Sequence, residues 1–479
     1  MSTPANEALL ALQRFGMGPR PGSIAAIASD PRGALLAELD NPPPYPAAAA
    51  ALPSSTKAVR MIADADARRR AKAIVATREE AKQPMAAAST MEAEAATGPK
   101  MSEAGQKAAM DAVPDPRRPI YRDEAKLRTE AALQADIGFT ERLVWFWSNH
   151  FCISIDKIIS MAGAYEREAI RPNILGHFSD LLLAAENHPA MLFYLDNLGS
   201  MGANSVAGIN RSLGPNENLS REVLELHTLG VRSGYTQDDV IRFANTLTGW
   251  TWVPPNSSPD HGGEFAFNAR MHEPGPQTVL GKRYDQEDVE QARAVLRDLA
   301  AQPATATHIA TKLARHFVAD TPPPELVDRM AKTFLESGGD LKATAKAMIA
   351  APESWALPPS KLKRPSEWAV STVRAVGMTE IDTKAYLDAL RLLGEPLWRP
   401  PSPKGFPDDE ASWIDGIGRR LDLANRFADQ IADKADPNEI IETVLASSAS
   451  SELMQAVGQC ETRQQALSLL FMSTEFLRR

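Results

Sequence analysis

The sequence predicts a mainly α fold: a large multi-helix globular domain with at most a small β-hairpin or sheet insertion. From Tyr121 onward, apolar residues recur at the three- and four-residue intervals of helices that bury one face. Strand-like segments are confined to three short stretches broken by Gly and Pro, namely Thr251 to Val253, Phe265 to Phe267 and Thr278 to Leu280.

Composition excludes several classes of protein. The 52 Lys and Arg residues against 61 Asp and Glu residues give a net charge of −9, so we expect no nucleic-acid partner. Two cysteines, Cys152 and Cys460, are too few for a disulfide framework or a thiolate metal site, and we expect ordinary thiols. The start of the sequence lacks the regions of a signal peptide, and no apolar run approaches about 18 residues, so we expect a cytoplasmic protein without a membrane span.

The chain of 479 residues divides into three parts by composition. We expect residues 1–40 to form an N-terminal helical segment that packs on the core. Residues 41–120 combine a Pro- and Ala-rich linker, a charged alanine-rich helix from Lys57 to Gln83, and a mobile connection from Pro84 to Pro119. Residues 121–479 are predicted to form the main helical domain.

Helix-start signals and apolar stripes locate the helices in chain order. Pro172 is predicted to open a helix whose apolar stripe runs from Ile174 to Ala185. Thr236 and Asp239 resemble a capping box, and Asp436 before a first-turn proline is a strong N-cap signal. Four further stripes each predict a helix: Val289/Ala292/Leu296/Leu299, Ile309/Leu313/His316/Phe317, Leu326/Val327/Met330/Phe334 and Tyr386/Leu387/Leu390.

The densest group of polar residues begins at Asn218 and includes Arg221, Glu222, Glu225 and His227. At 100° per residue, Glu222 and Glu225 lie on one face of a helix, whereas His227 lies about 140° from Glu222. A site shared by all of them therefore requires the fold to bend around them, or the helix to end nearby. Two interpretations stay open: a buried ion-pair network that fixes helix packing, or a reactive site.

Other polar groups are candidates for the same site. Asn149 and His150 follow an aromatic run, with His150 on an apolar stripe, and His272 precedes a glutamate in a loop that is free to face a cleft. His188 is predicted to be a helix N-terminal residue, and His316 a packed core residue. The proline-rich loop around Trp398 is expected either to line a cleft or to cover the core.

Metal and cofactor binding are not decided by the sequence. Imidazoles and carboxylates from separate helices suit zinc, iron or manganese, but no ligand pair has diagnostic spacing. The G-x-S-x-G, phosphate-loop and dinucleotide-binding patterns are all absent, so the usual hydrolase, nucleotide and dinucleotide signatures are missing.

Several long segments resemble a known family. The segments WFWSNHF, NHPAMLFYLDN, NENLSREVLELHTLGVRSGYTQDDVIRFANTLTGW, PLWRPPSPKGF and LFMSTEFLRR occur in this order, and together they resemble the bacterial domain of unknown function number eighteen hundred. The chain departs from the family pattern at Phe406, where a tryptophan is usual, and at Thr474, where a proline is usual. The resemblance implies the fold but no reaction, cofactor or catalytic residue. It also implies a possible protein partner that bears a twin-arginine signal, and with it periplasmic localisation by co-export as an alternative to the cytoplasm.

Two hypotheses of function follow. The first is a hydrolase-like enzyme, in which Glu222 or Glu225 is the acid or base, Arg221 holds a polar or anionic group, and His227 or His150 is a second base or metal ligand. Asn218, Asn149 and His272 line its cleft. The alternative is a non-catalytic binding or scaffold partner of an exported protein, in which the same polar network is a rigid core.

Overall fold

The computed structural model describes residues 4–80, 113–356 and 358–479. Helices dominate these ranges, and the strands form two short antiparallel pairs, so the predicted mainly α fold is confirmed. The predicted mobile connection falls largely on residues 84–112, which lie outside the described residues. No helix in the described ranges is both long enough and apolar enough to cross a membrane.

The helices before the first strand carry most of the candidate site. They are α1 (Pro4–Arg14), α2 (Ser23–Ile27), α3 (Pro31–Asp40), α4 (Ser55–Glu80), α5 (Arg117–Gln134), α6 (Phe139–His150), α7 (Ile155–Ile158), α8 (Ala162–Tyr165), α9 (Phe178–Glu186), α10 (Pro189–Tyr194), α11 (Val206–Arg211), α12 (Asn218–Glu222) and α13 (Gln237–Leu247).

The helices after the last strand complete the fold. They are α14 (Val289–Ala300), α15 (Pro303–Phe317), α16 (Pro324–Glu336), α17 (Leu341–Ala350), α18 (Glu353–Ala356), α19 (Pro365–Ala375), α20 (Thr383–Leu392), α21 (Ile417–Ile431), α22 (Pro437–Ile440), α23 (Ser451–Gly458), α24 (Arg463–Phe471) and α25 (Thr474–Leu477). Short π-helical turns extend α8, α12 and α22, over Glu166–Ile170, Val223–His227 and Ile441–Leu445.

The four strands form two separate hairpins rather than one sheet. Strand β1 (Trp250–Trp252) pairs with β2 (Phe265–Phe267), with Trp250 opposite Phe267. Strand β3 (Gln277–Val279) pairs with β4 (Lys282–Tyr284). The sequence gives no apolar alternation for β4, because two of its three residues are exposed cations.

Two apolar clusters fill the interior. The larger one extends from the N-terminal helices to the proline-rich loop, and Leu12, Phe15 and Leu35 of the N-terminal helices are completely buried in it. The smaller one lies in the C-terminal part, where the Trp368 indole nitrogen donates to the carbonyl oxygen of Phe471 over 3.0 Å. The segment before residue 41 thus packs on the same core as the central helices.

Local helix signals are borne out unevenly. The capping box of Thr236 and Asp239 is present, and the Asp436 side chain accepts a hydrogen bond from the backbone N–H of Asn438 at the start of α22. The predicted start at Pro172 is wrong. Pro172 lies in a short 3-10 turn, and α9 begins at Phe178, where the backbone N–H of Phe178 donates to Gly339 on a distant loop. A tertiary contact therefore replaces the local signal.

Candidate functional site

A π-helical turn follows α12 and changes the direction of the residues in it. In a π turn the hydrogen bonds join residues five apart, and here the N–H of Thr228 donates to the carbonyl oxygen of Val223 over 2.9 Å. Glu222 and His227 are also five residues apart, so the turn brings them to the same side of the helix. The 140° separation expected from regular helical spacing is therefore wrong.

The carboxylate of Glu186 faces the imidazole of His227. Glu186 ends α9, and its Oε1 lies 2.7 Å from Nδ1 of His227, at an angle outside that of a good hydrogen bond. The two side chains are 0% and 1% exposed. Nε2 of His227 has no hydrogen-bond partner among the described residues. A buried carboxylate thus holds one side of the ring and leaves the other nitrogen available.

Glu222 is close enough to this pair for its carboxyl to interact electrostatically with both members. Its side chain is half-buried and makes no hydrogen bond to the described residues. Burial raises the pKa of its carboxyl above the usual value, and His227 opposes this rise. The neighbouring carboxylates of Glu225 and Glu186 raise the pKa further. Glu222 is therefore an acid that retains its proton to higher pH and that solvent can reach.

Arg221 and Glu225 lie at the surface rather than in a buried network. Arg221 pairs with Glu217 at 2.8 Å and with Glu225 at 3.8 Å, and each of these side chains is about one-third exposed. Asn218, the first residue of α12, is exposed. These residues flank Glu222 in the sequence, and their exposure means that Arg221 and Glu225 do not form a fully buried ion-pair network.

His150 holds the end of the π turn. Its Nε2–H donates to the carbonyl oxygen of His227 over 3.1 Å, and its Nδ1 accepts from Nζ of Lys312 over 2.8 Å. Burial, with the nearby Lys312 ammonium, lowers the pKa of His150 well below its usual value, so the ring is neutral. Because both ring nitrogens are occupied and the side chain is 1% exposed, His150 positions His227 instead of contacting a substrate.

His308 of helix α15 also hydrogen-bonds to the backbone of the π turn. Nε2–H of His308 donates to the carbonyl oxygen of Leu226 over 3.1 Å, and burial lowers the pKa of His308 to about 4. Lys312, one turn later, has its pKa lowered to about 8 by burial. His316, two turns later, contacts the Asp408 carboxylate through Nδ1 at 2.9 Å. His316 is thus buried, as predicted, and its ring also contacts a carboxylate.

Sequence reasoning missed this polar stripe on α15. The spacing of His308, Lys312 and His316 at four-residue intervals was the available signal, since it places all three on one face. Glu186 gave no signal, because it is separated from His227 by 41 positions and follows the apolar second half of its helix.

Asn149 fixes the proline-rich loop instead of lining the π turn. Its side-chain amide donates to the carbonyl oxygen of Phe406 over 3.0 Å, and its Oδ1 accepts from the Phe406 N–H over 2.8 Å. Gly405 has a φ of +82°, and a Cβ there would lie 2.5 Å from the carbonyl oxygen of Asn149. The close approach of the loop to α6 therefore requires glycine.

His272 contacts a different part of the fold. Its Nδ1 lies 2.9 Å from the carbonyl oxygen of Thr248, and its ring packs on Phe267. The adjacent Glu273 accepts from the backbone N–H of Asn204 over 2.9 Å and so holds a neighbouring loop. None of these contacts joins His272 to Glu222 or His227. His188 caps α10 by accepting from the N–H of Ala190, as predicted.

The described residues contain no group of three or more His, Cys, Asp or Glu side chains arranged to hold a metal ion. The pair of Glu186 and His227 supplies two donors at most, and His150 and His308 direct their nitrogens to carbonyl oxygens and lysine. The arrangement is suited to proton transfer between Glu222, His227 and a bound group.

The sequence pattern of one protein family, described as protein of unknown function (DUF1800), matches residues 10–478. The chain belongs to this family. The match begins within α1, so the family includes the N-terminal helices as well as the segments after Tyr121 that carry the resemblance. No curated protein and no solved structure matches the chain.

Proposed function

We propose that the chain is a hydrolase-like enzyme in which Glu222 and His227 form an acid–base pair. The observation that carries the proposal is the π turn. It sets Glu222, whose carboxyl is half-buried and has a raised pKa, near the imidazole of His227, whose other side faces the buried carboxylate of Glu186. Perturbed titratable groups that converge in this way are typical of catalytic sites.

The roles follow from the contacts. With Nδ1–H directed at Glu186, Nε2 of His227 carries the lone pair that takes a proton from an attacking water. Glu222 donates its proton to the leaving group, for which a raised pKa is required near neutral pH. Arg221 and Asn218 at the surface contact polar parts of the substrate. The substrate class is a glycosidic, ester or phosphate linkage.

The test is a panel of p-nitrophenyl esters, glycosides and phosphates with purified protein. Glu222→Gln retains the shape of the side chain but removes the acid, and we expect kcat to fall at least 100-fold on any substrate that the wild type cleaves. We expect a similar fall in kcat for His227→Gln. The matched control is Glu217→Gln, a half-exposed ion-paired residue at the start of the same helix, which should retain wild-type kcat.

Glu225→Gln distinguishes the two carboxylates. Because Glu225 pairs with Arg221 at the surface, we expect its loss to change KM more than kcat. A wild-type kcat for Glu222→Gln, or equal losses for Glu217→Gln and Glu222→Gln, would contradict the assignment.

We infer a second candidate function, a non-catalytic partner of an exported protein, from one surface feature. Val206 and Ile209 of the short helix α11 are 55% and 65% exposed, and Leu213, two residues after the helix, is 51% exposed. Exposed apolar side chains that cluster in this way are typical of protein–protein contacts. Fractionation tests it: a chain found only in the cytoplasm while a twin-arginine partner is exported would exclude co-export.

A further inference from the structure

A cavity lined by both charged and apolar side chains lies beside α6. It has a volume of about 60 Å³, which is room for more than one water-sized group. Its walls come from α6, from the start of α19 and from the proline-rich loop, which therefore lines a cleft. The residues that the argument uses are Arg142, Trp145, His316, Arg364, Leu397 and Trp398.

Four nitrogens on lining residues have no hydrogen-bond partner among the described residues. They are Nε of Arg142, Nε1 of Trp145, Nε2 of His316 and Nε of Arg364. Three of them carry hydrogens and need an acceptor. His316 differs, because its Nδ1–H is directed at Asp408 and burial lowers its pKa to about 4, so its Nε2 is a lone pair. Buried N–H groups without acceptors are costly and rare.

The other nitrogens of the two arginines are occupied, which fixes both guanidinium groups. Arg142 donates to the carbonyl oxygen of Gly16 over 2.7 Å and to Oε1 of Glu367 over 2.7 Å. Arg364 pairs with Glu395 and lies 3.7 Å from Asp408. Each guanidinium is therefore held in place while its Nε–H stays without an acceptor among the described residues.

Positive charge exceeds negative charge around this cavity. Arg479 shares the Glu367 carboxylate with Arg142. The pKa of Lys363 is lowered to about 7, chiefly by burial, while the Glu367 carboxylate opposes this shift and the neighbouring arginines add to it. Among the charged residues that line the cavity, three arginines, Arg128, Arg142 and Arg364, face two carboxylates, Glu367 and Glu395.

We propose that this cavity binds the carboxylate of a small organic acid. The excess of buried cations and the free N–H groups on Arg142, Trp145 and Arg364 both call for an anionic acceptor. The apolar surface of Leu397 and Trp398 on the opposite wall suits the carbon skeleton of the acid. Glu222 and His227 do not line the cavity, so the proposal is independent of the proposed function.

The test is calorimetric titration of the full chain at pH 7.5 with sodium acetate, sodium isobutyrate, sodium phosphate and sodium chloride at matched ionic strength. We expect both carboxylates to bind and chloride not to bind. We expect the Kd of isobutyrate to be lower than that of acetate by a factor of about four for each additional carbon that the cavity buries. Phosphate binding without carboxylate binding, or no binding of any carboxylate, would overturn the proposal.

Two tryptophan variants locate the bound acid. Trp145→Phe retains the ring that stacks on Arg128 but removes the N–H, and we expect it to weaken isobutyrate binding about tenfold or more. Trp355→Phe is the matched control, since its indole N–H donates to Ile349 outside the cavity lining, and it should bind like the wild type. Equal affinity of Trp145→Phe and the wild type would overturn the location, and the melting temperature of each variant shows whether it is folded.

Discussion

The contact between Glu186 and His227 leads us to predict how a substitution of His227 changes the melting temperature. The variant His227→Phe retains the size of the ring but leaves the Glu186 carboxylate, which is 0% exposed, without its neighbour. Leaving a carboxylate buried without its neighbour costs about 3–5 kcal/mol, because its charge is then uncompensated. An unfolding entropy of about 2.1 cal/mol/K per residue over 479 residues is about 1 kcal/mol/K. We therefore expect the melting temperature to fall by about 3–5 °C.

A double variant separates this charge effect from packing. In Glu186→Met/His227→Phe both polar groups are replaced by apolar groups of similar size, and such replacements are close to neutral or stabilising. We expect the double variant to melt above His227→Phe by at least about 2 °C in differential scanning calorimetry. A melting temperature for His227→Phe within 1 °C of the wild type would refute the reasoning, and so would a double variant less stable than both single variants. Glu222→Gln, which breaks no hydrogen bond, should change the melting temperature by less than about 1 °C.

Three further predictions concern the surroundings of the site. Burial lowers the pKa of His308 and His316 from 6.5 to about 4, so between these pH values the unfolded chain binds more protons than the folded one. The contribution of each histidine to the free energy of unfolding is therefore fully present above pH 6.5, and about 3 kcal/mol of it is lost as the pH falls to 4. Calorimetry across that pH range measures the loss. Gly405→Ala should lower the melting temperature by more than the control Gly416→Ala, which has open space and a negative φ, because only the first meets the Asn149 backbone. Burial raises the pKa of Cys152 to about 12, so under native conditions at pH 8 a thiol reagent should modify the other cysteine and leave Cys152 unmodified until the chain unfolds.

The features that the sequence predicted correctly are those decided by neighbours in the chain. The capping box at Thr236 is a local arrangement of one hydroxyl, one carboxylate and two backbone N–H groups, so four residues suffice to predict it. The apolar stripe that includes Leu313 likewise predicts α15 because helical spacing decides which residues share a face.

The features that it missed depend on contacts between distant segments. The carbonyl oxygens of Leu226 and His227 accept hydrogen bonds from His308 and His150, which are 82 and 77 positions away. No local signal distinguishes a helix that ends regularly from one that ends in a π turn with these partners. The arginines that line the cavity beside α6 gave no signal for the same reason, since they come from separate segments of the chain and each is an ordinary polar residue in its own segment.

The π turn explains why this segment holds so many polar residues close together. A regular α-helix of the same sequence turns His227 away from Glu222, and its last carbonyl oxygens remain without partners at a buried end. The π turn sets the imidazole on the side of Glu222, and the rings of His150 and His308 satisfy the two carbonyl oxygens that it leaves free. Both rings are held neutral by burial, so they donate without adding charge next to the Glu186 carboxylate. The histidines thus have separate tasks. His150, a candidate from the sequence, and His308, which the sequence did not suggest, fix the backbone of the turn, while the ring of His227 faces Glu186.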